Sequence, residues 1–330
     1  MKNITKLLGL LLLFSAFAMT VSAPVQAKKD FTVSTSSKPY KNKYVKNPVY
    51  NKYTKHYLTL RSYLDEMSKK GGGTLTIKKG TYNISNALLV PSNVKIVLQD
   101  GVVMNKIGNS HTKKLKAGHV MFECVRSSRI NKKGVVGKYN GEKNIQIIGE
   151  GTVIMNLSGC NKSEAIRVPH CKNVLIDNIT FTNLRDGHFI EVTASKDVTV
   201  QNCTFKNNLS GERCAINLDT PDKVTNGFNG KYSKFDKTPV LNVTIQNCGF
   251  YNLHRGIDTH RFSPNKYHTN VQILGCTFKD SVQSPIMMLN WKNAVIKGNT
   301  IDTVKGWSTN NIQKEKFAIY MRGGVIDPII

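Results

Sequence analysis

Acidic side chains are scarce in this chain: 21 Asp and Glu stand against 47 Lys and Arg, a formal net charge of +26 over 330 residues. Such a field favours anionic partners: an acidic polysaccharide, an anionic cell-wall polymer such as teichoic acid, or nucleic acid. A nucleic-acid module is not written into it, because no basic stripe carries interleaved aromatics beyond scattered Tyr40, Tyr44, Tyr50 and Tyr53. There is no C-x-x-C and no Cys/His spacing of a metal site, which excludes a zinc-stapled fold. The seven cysteines are odd in number, and only Cys160 and Cys171 stand close together; one disulfide between them is left open. No apolar run after residue 21 is long enough to cross a bilayer. The repeats described below also lack any 3.6-residue period, which excludes a helical solenoid.

What is present begins with a leader. Lys2 and Lys6 precede an apolar run, Leu7–Val21, and then Val25-Gln26-Ala27, the pattern of a secretory signal peptide cleaved after Ala27. The mature protein is therefore expected to be exported, extracellular or wall-associated, and bacterial, with a charge of +24 once two lysines are removed. Residues 28–56 are crowded with lysine (Lys28, Lys29, Lys38, Lys41, Lys43, Lys46, Lys52, Lys55) and meet only Asp30, so they read as an extended basic arm. The third segment, 57–330, opens on Tyr57, Leu60, Leu64 and Met67 at helical spacing with a stop at Gly71, one amphipathic helix. A helix there would cap the open first coil of a solenoid.

The rest of the chain repeats one phrase: NVLIDNITF from Asn173, DVTVQNCTF from Asp197, NVTIQNCGF from Asn242 and NVQILGCTF from Asn270. Fainter copies start at Asn144 and Asn293. Apolar residues alternate in each copy, the period of a strand with one buried face. Each copy then meets Asn or Gly at one register (Gly149, Asn178, Asn202, Asn247, Gly275, Gly298), residue types that accept a left-handed corner. The uneven spacing of 24, 45 and 28 residues fits a constant coil interrupted by loops and not the regular blades of a propeller. The fold expected is all-β, a right-handed parallel β-helix. Cys203, Cys248 and Cys276 share a register with Ile179 and read as a packed internal ladder.

The short helix, GGGTLTIKKGTY from Gly71 and the PSNVKIVL strand resemble the N-terminal entry of pectate-lyase-like β-helix proteins, including polygalacturonase-type hydrolases. The resemblance runs from about Tyr57 to the end and implies the fold and an acidic-polysaccharide substrate class. The hydrolases of that group are expected to carry N-T-D, an adjacent D-D pair, G-H-G and R-I-K. Here the counterparts are INLDT at 216–220, RGIDTH at 255–260 and AIYMRGG at 318–324, and Leu218 separates Asn217 from Asp219 so that the paired Asp is missing.

A second strand register supplies the candidate site. With Ile166, Ile190, Ile216, Ile257, Ile286 and Ile319 inside, the next residues point outward: Arg167, Glu191, Asn217, Asp258, Met287 and Tyr320. Two further on stand Thr193, Asp219 and His260. Neighbouring coils lie about 4.8 Å apart, which gathers Glu191, Asp219, Asp258 and His260 as candidate catalytic groups. Arg167, His188, Arg213, Asn217, Arg255 and Arg261 flank them as substrate-binding candidates. Insertions at Thr220–Pro239 and Arg261–Tyr267 would wall a groove, with Phe228, Tyr232 and Phe235 as platforms for sugar rings.

Crowded carboxylates raise one another's pKa, the condition acid–base chemistry needs. Glycosidic hydrolysis would use Asp219 with Asp258 or Glu191. A lyase or epimerase would use His260, Arg255 or Arg213 as base, with Ca²⁺ on Glu191, Asp219 and Asp258 to neutralise a uronate. No cofactor is certain from the sequence. The other class of function is a non-catalytic secreted β-helix that binds teichoic acid, polysaccharide or extracellular DNA through its charge.

Overall fold

In a computed structural model, residues 28–45, 49–208, 213–305, 317–322 and 324–330 are described. The leader expected over 1–27 lies outside them. Alternating apolar residues do what their period demands. Each coil contributes one strand to each of three parallel sheets, a ten-stranded sheet and two of eight, stacked in sequence order around one core. A typical coil runs Lys172–Asp177, Thr180–Leu184, Gly187–Thr193 and then climbs to Lys196–Gln201.

The columns of the core are those the repeats announce. Val174, Val198, Val243 and Val271 align across coils, as do Ile176, Val200, Ile245 and Ile273. Ile166, Ile190, Ile216, Ile257 and Ile286 form the second column and are fully buried. Phe181, Phe205, Phe250 and Phe278 stack face to face, with centroids 4.9, 5.0 and 4.6 Å apart. Cys203, Cys248 and Cys276 are buried beside Ile179 as an internal ladder. All seven cysteines are free, so the Cys160–Cys171 bond left open by spacing is not formed; Cys171 lies against Cys124, on another part of the core.

Corners are left-handed where the sequence places Asn or Gly, at Asn178, Asn202, Asn247, Gly275 and Gly298. Gly149 is the exception, since the positive φ in its coil falls on Gly151. A second left-handed column opens the strands at Asn144, Asn173, Asp197, Asn242, Asn270 and Asn293. Most of its side-chain amides bond from coil to coil, as in Asn173 Nδ2 to Asn144 Oδ1 at 2.9 Å.

The helix Lys55–Lys69 buries Leu60, Leu64 and Met67 in the common core and packs on the strands of the first coil, Gly73–Ile77, Gly80–Ile84 and Leu88–Leu89. The basic segment does not stand off as an arm. Phe31–Val33 pairs in parallel with Leu75–Ile77, and Phe31, Tyr40 and Tyr63 cluster with centroids 5.1–5.6 Å apart. The aromatics that punctuate the lysines supply the apolar area that holds it down. At the other end, Ile326 and Ile329 bridge in parallel to Lys292 and Val295, so the tail begins a further rung.

Candidate active site

The eight-stranded sheet that carries the second register has the order Leu88–Leu89, Val120–Glu123, Ser163–Pro169, Gly187–Thr193, Cys214–Asp219, Arg255–Asp258, Ile286–Leu289 and Ile319–Arg322. Its outward row sits in the expected register: Glu123, Arg167, Glu191, Asn217, Asp258, Met287 and Tyr320 are successive neighbours. Over its middle rungs lies a cleft of ≈ 170 Å³ whose walls include Glu164, Arg167, His188, Glu191, Asp219 and His260.

Two carboxyls form its floor. Glu191 is 5% exposed; Thr193 Oγ1 donates to its Oε1 (2.9 Å) and Asn217 Nδ2 to its Oε2 (2.7 Å). Burial, and then the negative charge of Glu164, push its pKa up to about 8. Asp219 is 2% exposed and accepts the Arg261 backbone N–H at 2.7 Å. Burial, reinforced by the charge of Glu191, holds it well above the usual carboxylate range. Two buried carboxyls that oppose each other's ionisation retain a proton at neutral pH.

The surrounding bases are neutral. Burial, with the charges of His188 and Arg213 adding to it, drops His260 to about 3. Arg213 Nη1 lies 3.2 Å from its Nε2, and a guanidinium can only donate, which makes Nε2 the acceptor. The His260 backbone N–H donates to Asn217 Oδ1 at 3.0 Å, so Asn217 joins His260 to Glu191. His188 is lowered to about 4, chiefly by burial. Its Nδ1 faces the Cys214 carbonyl at 3.2 Å, which leaves Nε2 unprotonated 3.8 Å from Glu191 Oε2.

Arg167 is less available than its position suggests. Nε and Nη2 hold Glu164 at 2.5 Å each, Nη1 lies 3.5 Å from Glu123, and the guanidinium sits over the Phe228 ring. Burial would raise Glu164, but the Arg167 charge and hydrogen bonds keep it below its ordinary value.

Four expected members fall elsewhere. Asp258 is buried and paired with Arg255, whose Nη1 also lies 3.8 Å from Met287 Sδ; neither lines the cleft. An arginine three residues earlier on the same strand claims the carboxylate first. Arg261 meets Asp219 through its backbone, and its side chain is not part of the lining. Tyr232 is 1% exposed and no sugar platform: its hydroxyl donates to Glu123 Oε1 at 2.7 Å beneath the 220–239 loop. Among the described residues no three His, Cys, Asp or Glu are disposed to hold a metal ion, so the Ca²⁺ set Glu191, Asp219 and Asp258 is not assembled.

Several lining residues were missed by sequence reasoning: Glu164, His119, Lys162, Asn226 and Asn229. Glu164 was findable, because it stands directly opposite His188 on the next rung.

Three parallel sheets wound about one core define a parallel β-helix. A family model described as "Right handed beta helix region" matches residues 118–301, and the chain belongs to that family. It is 26% identical over 267 residues to plasmin and fibronectin-binding protein A of Streptococcus pneumoniae (strain ATCC BAA-255 / R6), covering 73% of this chain. The chain spans only 36% of that relative's length. Among solved structures it resembles PfbA, a surface adhesin of the same species (TM-score 0.61, 20% identity, 74% of this chain and 58% of that one). It also resembles an iota-carrageenase complexed to iota-carrageenan fragments (TM-score 0.53, 14% identity, 86% and 58%). These structural likenesses are likenesses of fold. Among the described residues no helix is long and apolar enough to cross a membrane.

Proposed function

We propose that this is an exported bacterial glycoside hydrolase that cuts an anionic, uronate-type polysaccharide in the cleft of Glu191 and Asp219. The observation that carries the reading is the pair itself: two buried carboxyls on one cleft floor, both held above their ordinary range by burial, Glu191 also by the charge of Glu164 and Asp219 by that of Glu191. Glu191 donates its proton to the glycosidic oxygen as the bond to the anomeric carbon breaks. The pair shares one proton, and with that proton on Glu191 the ionised Asp219 takes a proton from the water whose oxygen adds to that carbon, which creates a new reducing end. The two residues are diagonal neighbours on adjacent rungs, Glu191 facing Asn217 and Asp219 standing two residues further along that strand. Arg213, which also holds Asp186 at 2.9 Å, and Lys162 give the mouth a cationic rim suited to an acidic sugar.

A second reading has an observation of its own. The 26%-identical relative is named for binding plasmin and fibronectin, and this chain's charge suits adhesion to an anionic surface. The test sets the protein and its Glu191→Gln variant on pectate, alginate, hyaluronan and teichoic acid. New reducing ends from the parent alone, with no ultraviolet absorbance of unsaturated uronate, support hydrolysis. Absorbance growth would replace it with elimination by His188 or His260, and silence on both would leave an adhesin.

A further inference from the structure

Two connections far apart in sequence are zipped together beside the cleft. Val136 bridges Ser233 in parallel, and backbone hydrogen bonds run from Gly134 to Lys231 (3.1 Å), Val136 to Tyr232 (2.9 Å) and Lys234 to Val136 (2.7 Å). Fully buried His170 pins both: Nδ1 meets the Lys138 carbonyl at 2.7 Å, and Nε2 meets Ser233 Oγ at 2.8 Å. Leu89, Val125, Val136, Phe228 and Tyr232 form a separate small core underneath. The product is a fixed ridge, held from below by hydrogen bonds and apolar packing.

The ridge displays seven exposed lysines: Lys132, Lys133, Lys138, Lys223, Lys231, Lys234 and Lys237. Lys237 reaches buried Asp222 at 3.7 Å, and Lys223 lies over the Phe235 ring. Among the described residues the ammonium groups of the other five form no ion pair within 4.0 Å; the carboxylate that stands among them, Asp236, accepts the Lys138 backbone N–H at 2.6 Å. Like charges on one ridge repel, and a buried network holds them in place where a free loop would let them separate. The lysines of the N-terminal segment differ. Lys29, Lys43 and Lys52 lie over tyrosine rings, and Lys41 pairs with Glu66 at 3.0 Å.

We propose that this ridge is a docking track for an anionic polysaccharide strand, whose acidic groups it grips as the strand passes into the cleft. The same loop makes both: Asn226, Phe228 and Asn229 line the cleft, and Lys231 and Lys234 follow on the ridge. A glycan is the occupant that the position favours, because one loop carries the ridge into the cleft, and with Phe228 and Tyr232 buried the grip there is by charge. The inference rests on the reading of the cleft as a polysaccharide site, and it adds where the strand is held and by which charges.

The test measures binding of pectate, neutral dextran and duplex DNA to Glu191→Gln protein, which keeps the polymer intact, at low and high sodium chloride. Pectate binding should weaken about tenfold or more between the two salt concentrations. It should weaken about tenfold at low salt on adding Lys132→Gln, Lys133→Gln, Lys231→Gln and Lys234→Gln, with an unchanged melting temperature. Lys29→Gln, Lys43→Gln and Lys52→Gln together should leave it unaltered. Ridge variants that bind pectate normally, or DNA bound more tightly than pectate, would overturn the proposal. A wild-type protein that binds pectate through the ridge but releases no reducing ends would overturn hydrolysis and leave the track standing.

Discussion

Asn217 donates from its own rung to Oε2 of Glu191 on the rung before it, at 2.7 Å, while its carbonyl oxygen accepts the backbone N–H of His260. One amide therefore sets the carboxyl that would donate the proton and the start of the loop that overhangs it. The bond also favours the ionised form of Glu191 and restrains the upward shift that burial imposes.

Asn217→Ala should therefore move the alkaline limb of the pH–rate profile to higher pH, because Glu191 loses a donor to its charged form. A fall in kcat of about tenfold or more should accompany it. A profile that keeps its limb would mean that Asn217 supports only the fold.

Glu191→Gln should abolish turnover, by about a hundredfold or more, with binding retained. The parent's rate should fall as pH rises through about 8, where the proton donor is lost. Stability gives an independent reading. Folded Glu191 keeps its proton up to about pH 8, whereas the unfolded chain releases it near the ordinary carboxylate value. The folded state thus binds the extra proton between those limits, and stability is lost as pH rises through them. Gln does not titrate, so the Tm of the variant relative to the parent should climb by about 3 °C or more from pH 5 to pH 8.

Tyr232→Phe removes the hydroxyl that Glu123 accepts in the buried seam under the cleft wall. A loss of about 1–3 kcal/mol is expected in denaturant unfolding, from the carboxylate left short of a partner. Had Tyr232 been a sugar platform, the change would instead raise KM and leave stability untouched.

All seven thiols are buried and free. Native protein should resist a thiol reagent, and unfolded protein should release seven equivalents without prior reduction. Five equivalents would place a disulfide between two of them.

The register of the sheets was legible because identical phrases must stack identically. The isoleucine column and the row Arg167, Glu191, Asn217, Asp258 and Met287 both follow from it. What register does not reveal is which neighbour a charge prefers. Arg255 is three residues from Asp258, and that local ion pair withdrew a carboxyl expected in the cleft. Glu164 shows the same limit: register places it opposite His188, but only the structure shows that Arg167 grips it. The wall at 124–142 carries no repeat, so nothing in its sequence ties it to a loop about a hundred residues later. By charge alone residues 28–56 read as an extended arm, and the aromatics that seat the described part, Phe31 against Tyr40 and Tyr44 under Lys43, have no period to announce them.

The cleft occupies the middle of the stack. Two rungs, Leu88–Leu89 and Val120–Glu123, stand on one side of its strands, and three, Arg255–Asp258, Ile286–Leu289 and Ile319–Arg322, stand on the other. Each coil of a solenoid is held by its immediate neighbours, so disorder enters from the ends and advances rung by rung. The outer coils thus act as sacrificial insulation. Fraying or clipping at either end would spend rungs that do no chemistry before it disturbed the spacing of Glu191 and Asp219.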